Sequence, residues 1–211
     1  MRFIKNYYQY NSHVNNIFFQ TENLTLGYGN EIVIKDLDLS LQRNKNYEVI
    51  GKNGSGKTTL LNLLSNNFEG NTFDSDISRE TTNILEISHI PTLLENLTLI
   101  ENVIYFTSSM NIDEEKVNST IKKYDMLSFK NDTIKNFSSG MIKRTELTIA
   151  DIKEPDVLCI DEPLNYLDKQ GIDRLQNLIN ERTDKNKSNI LSSQETSGLL
   201  KNKETVNLNE I

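Results

Sequence analysis

The chain has 211 residues, of which 36% are hydrophobic and 25% charged, and this fits one globular domain with or without a small inserted subdomain. The formal net charge of −7 argues against a general nucleic-acid-binding protein, which needs a basic face. One cysteine cannot build a disulfide framework, so a reducing compartment is favoured. Two histidines far apart in the sequence give a poor start for a zinc site.

Membrane-spanning and targeting segments are not expected. No run approaches the roughly 20 apolar residues that a transmembrane helix requires. The opening residues MRFIKNYYQY also lack the apolar centre of a signal peptide. We therefore expect a cytoplasmic protein that reaches a membrane only through a partner chain.

The N-terminal part is predicted to form antiparallel strands. Residues 1–16 are mostly polar and are interpreted as an extension with little commitment to structure. From Ile17 to Ser40 apolar and polar residues alternate, and Gly27-Tyr28-Gly29-Asn30 interrupts the alternation. A period of two around such a turn is typical of two or three antiparallel strands.

The remainder alternates short apolar runs with helical patterns. A helix is predicted from Thr58 to about Ser65, and residues 91–136 read as a helical subdomain. Strands are predicted at Tyr47–Ile50, Ile84–Ile90, Val157–Ile160, Asn189–Leu191 and Thr205–Leu208. Strands that alternate with helices form a mostly parallel sheet. The expected fold is therefore α/β, with a core of residues 17–90 and 137–211 that includes an N-terminal antiparallel β subdomain.

The segment from Gly51 to Thr58 matches G-x-x-x-x-G-K-[ST] between a predicted strand and a predicted helix. In such a loop the backbone N–H groups cradle phosphate oxygens, the lysine reaches the β- and γ-phosphates, and the Thr58 hydroxyl ligates Mg²⁺. The alternative is a glycine-rich turn that binds nothing. The predicted nucleotide-binding residues are Gly51, Asn53, Gly54, Ser55, Gly56, Lys57, Thr58 and Thr59.

Two carboxylates, Asp161 and Glu162, follow the apolar strand that contains Cys159. We interpret Cys159 as a small buried residue. The carboxyl ends of parallel strands face the ligand in an open α/β sheet. Asp161 is therefore predicted to hold Mg²⁺, and Glu162 to orient or deprotonate an attacking water. The alternative is a strand that ends in two solvated acids.

The order and spacing of four motifs resemble the ATP-binding subunit of an ABC transporter, a P-loop NTPase. The phosphate loop is followed by Phe137-Ser138-Ser139-Gly140-Met141, then by Asp161-Glu162-Pro163, and then by Leu164-Asn165-Tyr166-Leu167-Asp168. The resemblance runs from about Ile17 to the end of the chain. It implies ATP and Mg²⁺ as cofactors, ATP hydrolysis, and a position at the inner face of the cell membrane.

The resemblance also implies roles for individual residues. Ser138, Ser139 and Gly140 match the signature motif, which binds the γ-phosphate across a head-to-tail dimer, and Asp168 lies in the matching D-loop. Tyr28 matches the aromatic residue that stacks on adenine. Without the resemblance, Ser138 would be interpreted as a helix N-cap, and Tyr28 as an ordinary residue at a strand end.

The resemblance further implies a homodimer or heterodimer and a separate integral membrane subunit docked on residues 91–136. No nucleic-acid partner is expected. A small bacterial exporter of peptides or bacteriocins, or an immunity pump, fits this pattern. The alternatives are a soluble ATPase acting on ribosomes or DNA, which usually has two nucleotide domains or a long coiled-coil insert, and a regulatory module that dimerises with ATP and hardly hydrolyses it.

Three positions depart from the family pattern. Met141 replaces the last glutamine of the signature, and Gln194 stands where the switch histidine is expected. Thr92 follows Ile90-Pro91, where the family usually places a glutamine that contacts Mg²⁺ and water. His13 and His89 do not fit the switch position, and His89 is interpreted as a structural residue in a strand. We expect Gln194 to be catalytic together with Glu162, and hydrolysis to be slow, because an amide cannot carry a proton.

Overall fold

The computed structural model describes residues 16–73 and 75–209. The strands are β1 (Ile17–Tyr28), β2 (Glu31–Gln42), β3 (Asn46–Ile50), β4 (Asn71–Phe73), β5 (Asp76–Arg79), β6 (Ile84–Ile87), β7 (Val157–Ile160), β8 (Ser188–Ser193) and β9 (Lys203–Asn207). The helices are α1 (Lys57–Ser65), α2 (Leu99–Thr107), α3 (Glu114–Lys123), α4 (Ser139–Lys153) and α5 (Lys169–Asp184). The predicted N-terminal extension, with His13, lies outside the described residues except for Asn16.

The N-terminal alternation builds an antiparallel sheet, as the sequence predicts. β1 pairs with β2 as a long hairpin, and the other side of β1 pairs with β4 and β5. The hairpin turns at Gly29, whose φ of 59° lies in the left-handed region that glycine adopts without a steric cost. This sheet covers the segment that leads into the phosphate loop.

The second sheet is parallel and has the order β6-β7-β8-β3-β9. β6 is shorter than the predicted strand Ile84–Ile90, because its pairing with β7 ends where Ile87 meets Ile160. Residues 88–90 leave the sheet, so the interpretation of His89 as a strand residue is wrong. The carboxyl ends of β3, β6, β7 and β8 meet at one edge of this sheet, which positions the site described below.

The parallel sheet is buried on both faces, as expected when crossover helices cover it. One face packs Val157, Cys159 and Ile190 with α1 and the antiparallel sheet. The other face packs Leu158, Ile160 and Leu191 with residues from α2, α3, α4 and α5. The α/β fold is thereby confirmed.

Residues 91–136 are mainly helical. α2 begins with a capping box in which Thr98 and Glu101 satisfy each other's backbone N–H groups, and Asp113 caps α3. Short 3₁₀ turns follow at Leu127–Phe129 and Ile134–Asn136. Nowhere in residues 16–73 or 75–209 does a helix have the length and apolarity needed to cross a bilayer.

Candidate nucleotide-binding site

The phosphate loop links β3 to α1 and depends on glycine geometry. Gly54 and Gly56 have φ angles of 82° and 95°, where side chains with a Cβ are disfavoured. A Cβ on Gly56 would also lie 2.6 Å from Cγ1 of Ile34, and one on Gly51 would lie 2.1 Å from the Ser55 hydroxyl. The loop is therefore closely packed, and the free N–H groups of the first turn of α1 open towards the cleft beside it.

Lys57 begins α1 and is only 5% exposed. Its ammonium donates to the carbonyl oxygens of Gly51 at 2.9 Å and Lys52 at 3.1 Å. The third partner is the Glu162 carboxylate, whose Oε1 lies 3.1 Å away. A phosphate oxygen could replace Glu162 in this set without a change in the number of charge-assisted contacts.

Asp161, only 2% exposed, is held from three sides. Its Oδ2 accepts a hydrogen bond from the Thr58 hydroxyl at 2.7 Å and lies 3.3 Å from Nδ1 of His89. Its Oδ1 accepts a hydrogen bond from the Ser192 hydroxyl. Both carboxylate oxygens therefore have fixed neighbours from other elements.

Glu162 has an unusual backbone. Its φ of 44° and ψ of 56° place a non-glycine residue in the left-handed region, which costs on the order of 1–2 kcal/mol. The Ser192 hydroxyl accepts its backbone N–H at 2.9 Å, and Asn165 donates to its carboxylate. Strained residues that the surroundings hold in place are concentrated at functional sites. This conformation could not be predicted from the sequence.

These groups surround a cleft of about 410 Å³. Its lining residues are Val33, Asn53, Gly54, Gly56, Lys57, Thr58, Thr59, His89, Asp161, Glu162 and Tyr166. A neighbouring cavity of about 420 Å³ is lined by residues 162–165 and 192–197, so Gln194 lies beside Glu162 just after β8. The two residues predicted to be catalytic, Glu162 and Gln194, therefore line the same cavity.

The predicted signature residues Ser138, Ser139 and Gly140 do not line this cleft. Ser138 caps α4 by accepting the N–H of Met141 at 3.3 Å, and both Ser138 and Ser139 are exposed. Asp168 caps α5 and also binds Arg144 of α4 through two contacts of 2.5 and 2.6 Å. The Arg144 hydrogen bonds, followed by the N–H of Gly171, lower the pKa of Asp168 below its ordinary value.

Tyr28 lies at the end of β1, about half exposed, and its ring meets the edge of Phe68 at a centroid distance of 5.5 Å. An exposed aromatic face of this kind can stack on a planar ring.

The segment after β6 enters the cleft through His89 rather than Thr92. The backbone N–H of Thr92 donates to Glu146 at 3.4 Å, and Thr92 lines a separate groove of about 310 Å³. His89 was missed as a site residue, because the apolar run around it resembles a continuing strand. Its position just beyond a strand that ends at the same sheet edge was the one available signal.

The donor set fits a nucleotide with a divalent cation. Thr58 and Asp161 offer the hydroxyl and carboxylate oxygens that Mg²⁺ prefers, and Lys57 lies next to them. In the described part of the chain no group of three or more histidine, cysteine or acidic side chains forms a self-sufficient metal centre. Phosphate oxygens and water would therefore complete the coordination, as is usual for Mg²⁺ at phosphate sites.

A parallel sheet whose phosphate loop, buried lysine and acidic pair meet at one edge defines a P-loop nucleotide-binding domain. Residues 34–165, more than half of the chain, match the family described as ABC transporter. The chain belongs to the ABC transporter family and is an ATP-binding subunit, which confirms the resemblance seen in the sequence.

Curated relatives agree with this assignment, and a solved structure shares the fold. The lantibiotic transport ATP-binding protein SrtF of Streptococcus pyogenes is 29% identical over 75% of this chain and 72% of its own length. The bacitracin transport ATP-binding protein BcrA of Enterococcus faecalis is 27% identical over 82% of this chain and 60% of its own length. A solved structure of an ATP-binding subunit of an ABC transporter superposes with a TM-score of 0.73 at 24% identity, over 83% of this chain and 79% of that one.

Proposed function

We propose that this subunit binds Mg-ATP in the cleft beside Lys57 and hydrolyses it slowly to drive transport through a separate membrane-spanning subunit. The observation that carries the proposal is the convergence of Lys57, Thr58, Asp161 and Glu162 within direct contact distances. Glu162 acts as the general base, and Thr58 and Asp161 hold the cation. Gln194 replaces a group that could carry a proton, so the site binds ATP better than it turns it over.

The proposed cargo is a peptide antibiotic or bacteriocin, with export or self-immunity as the outcome. The support is the similarity to one relative named for lantibiotic transport and another named for bacitracin transport. Because both relatives are named as transport proteins, a purely regulatory module is disfavoured. The subunit would work at the inner face of the cell membrane, as a homodimer or heterodimer.

Calorimetric titration with Mg-ATP tests nucleotide binding. Lys57→Ala removes a charge-assisted contact worth roughly 1.5–3 kcal/mol, so affinity should fall about ten- to a hundredfold. Lys35→Ala is the matched control, because Lys35 is exposed and pairs only loosely with Asp36 at 3.9 Å. Equal affinities in both variants would contradict the proposal.

The membrane subunit is proposed to dock on residues 91–136 and the groove beside them. Ile104 and Tyr105 of α2 are 56% and 58% exposed, and Ile90 and Leu94 nearby in sequence are also exposed. Apolar side chains collected on one segment favour a protein interface. Ile104→Ser should reduce co-purification with a co-expressed membrane-spanning partner subunit, whereas Ile32→Ser on β2, with similar exposure, should not.

A further inference from the structure

His89 lies in the cleft although it belongs to none of the motifs described above. It follows the end of β6, its side chain is 46% exposed, and its Nδ1 is 3.3 Å from Oδ2 of Asp161. The same oxygen accepts the Thr58 hydroxyl at 2.7 Å. Three potential cation ligands of different chemistry, an imidazole nitrogen, a carboxylate oxygen and a hydroxyl oxygen, therefore lie around one point.

The backbone on either side of His89 is held by buried groups. Lys143 of α4, 4% exposed, donates to the carbonyl oxygen of Ser88 and pairs with Glu146 at 2.8 Å. Glu146 in turn accepts the N–H of Thr92 at 3.4 Å. This pair therefore binds the backbone on both sides of His89, and the imidazole itself contacts Asp161.

We propose that His89 is a nitrogen ligand of the divalent cation, and that it gives this site a preference for Mn²⁺ over Mg²⁺. Mg²⁺ takes oxygen ligands almost exclusively, whereas affinity for imidazole nitrogen increases from Mn²⁺ along the first transition series. A cation that displaces the Thr58–Asp161 hydrogen bond would meet Nδ1 of His89 as its third protein ligand. The inference rests on the proposed nucleotide site and names the metal that the site selects.

The first test measures Mn²⁺ binding in the presence of ADP, from the signal of free Mn²⁺ in electron paramagnetic resonance, with Mg²⁺ as competitor. The full chain is compared with His89→Gln, which offers an amide oxygen, and with His13→Gln as the matched control. His89→Gln should lower the ratio of Mn²⁺ affinity to Mg²⁺ affinity by at least about tenfold. Loss of a residue that only supports a metal ligand already costs about tenfold in metal affinity, so loss of a ligand should cost no less. The ratio in His13→Gln should equal that of the parent.

The second test separates a ligand from a residue that only hydrogen-bonds to Asp161. Protein labelled with ¹⁵N in histidine is loaded with Mn²⁺ and ADP, and electron spin-echo modulation should show a directly bound ¹⁵N nucleus that His89→Gln lacks. A nitrogen signal that is absent, or an unchanged metal ratio in His89→Gln, overturns the inference. ADP binding with either metal, measured by calorimetry in the same samples, then shows that the nucleotide site itself stands; failure of ADP to bind with both metals would overturn the site and the inference together.

Discussion

At the scale of single residues, Ser192 connects the two acids of the cleft. Its hydroxyl donates to Oδ1 of Asp161 and accepts the backbone N–H of Glu162, the residue held in a left-handed conformation. Loss of a group that orients a metal ligand commonly lowers metal affinity or activity about ten- to a hundredfold. The Ser192 hydroxyl near the end of β8 thus holds the carboxylate of Asp161 and the backbone of Glu162.

Ser192→Ala should lower kcat for ATP about ten- to a hundredfold while the affinity for ATP without metal stays nearly unchanged. The reason is that Asp161 loses its hydrogen-bond donor and the buried N–H of Glu162 loses its acceptor. Ser188→Ala is the control, since Ser188 is equally buried on the same strand but contacts Lys45 at the opposite end. A rate loss of similar size in both variants would mean that the strand as a whole, rather than the hydroxyl of Ser192, matters.

Gln194→His should raise kcat with little change in KM, because an imidazole with an ordinary pKa of about 6.5 adds a titratable donor next to Glu162. Phosphate release under steady-state conditions measures the effect. The control is Gln20→His, which places the same side chain on the exposed surface of β1. If the two variants hydrolyse ATP equally fast, Gln194 does not limit the reaction.

At the scale of elements, Glu48 joins three strands next to the cleft. It is fully buried in β3, accepts the N–H of Ser197 at 2.7 Å and the ammonium of Lys203 in β9, and receives the hydroxyl of Ser193 in β8 at 3.3 Å. Burial alone would raise the pKa of Glu48, but the hydrogen bonds from Lys203 and Ser197 outweigh it and lower the pKa below the ordinary 4.5. The segment that carries Gln194 is thereby anchored to the central strand.

The pH dependence of stability follows from this shift. Because the folded-state pKa of Glu48 lies below its unfolded value, the unfolded chain binds more protons below about pH 4.5, and the stabilisation is lost as the pH falls through that range. Urea unfolding should show a smaller loss of free energy between neutral and acidic pH in Glu48→Gln than in the parent. Glu204→Gln, at an exposed pair with Lys45, should keep the parental profile.

The elements that the sequence predicts well are those with local signals. β1 and β2 show alternation, β7 is a continuous apolar run, and the phosphate loop fixes the start of α1 within one residue. β4 and β5 were not predicted, because their mostly exposed residues carry no apolar period and they form strands only by pairing with β1. Two features of the site could not be predicted for the same reason: the contact between His89 and Asp161, and the left-handed backbone conformation of Glu162. Both depend on neighbours that are distant in sequence.

At the scale of the whole molecule, the signature residues lie outside the cleft that the phosphate loop lines. Ser138 and Ser139 are exposed at the start of α4, and Arg144 ties that helix to Asp168 at the start of α5. The ion pair thus connects α4 with the cap of α5, near the exposed N-terminus of α4. Such an N-terminus can accept a phosphate held by a second subunit.

Glu162→Gln should form a dimer with Mg-ATP that is absent with Mg-ADP, because hydrolysis slowed about 10²–10⁴-fold leaves the γ-phosphate between the subunits. Size-exclusion chromatography with light scattering gives the mass. The double variant Lys57→Ala/Glu162→Gln should stay monomeric, since it binds ATP poorly. A monomeric Glu162→Gln with ATP at high concentration, alone and with the candidate partner subunit, would argue against the head-to-tail arrangement.

The rate at which Cys159 reacts with a thiol reagent reports how often the fold around β7 opens. It is the chain's single thiol, it lies with no exposed surface in β7 between β6 and β8, and burial raises its pKa well above the ordinary value. Its side chain packs on the face of the sheet that α1 and the antiparallel sheet cover, so a thiol reagent reacts only after these layers have opened. β7 leads directly into Asp161 and Glu162, so opening around β7 also disrupts the nucleotide site. A nucleotide at about a hundred times its Kd should therefore slow the labelling of Cys159 roughly a hundredfold. The labelling half-life then measures the occupancy of the nucleotide site without any added reporter group.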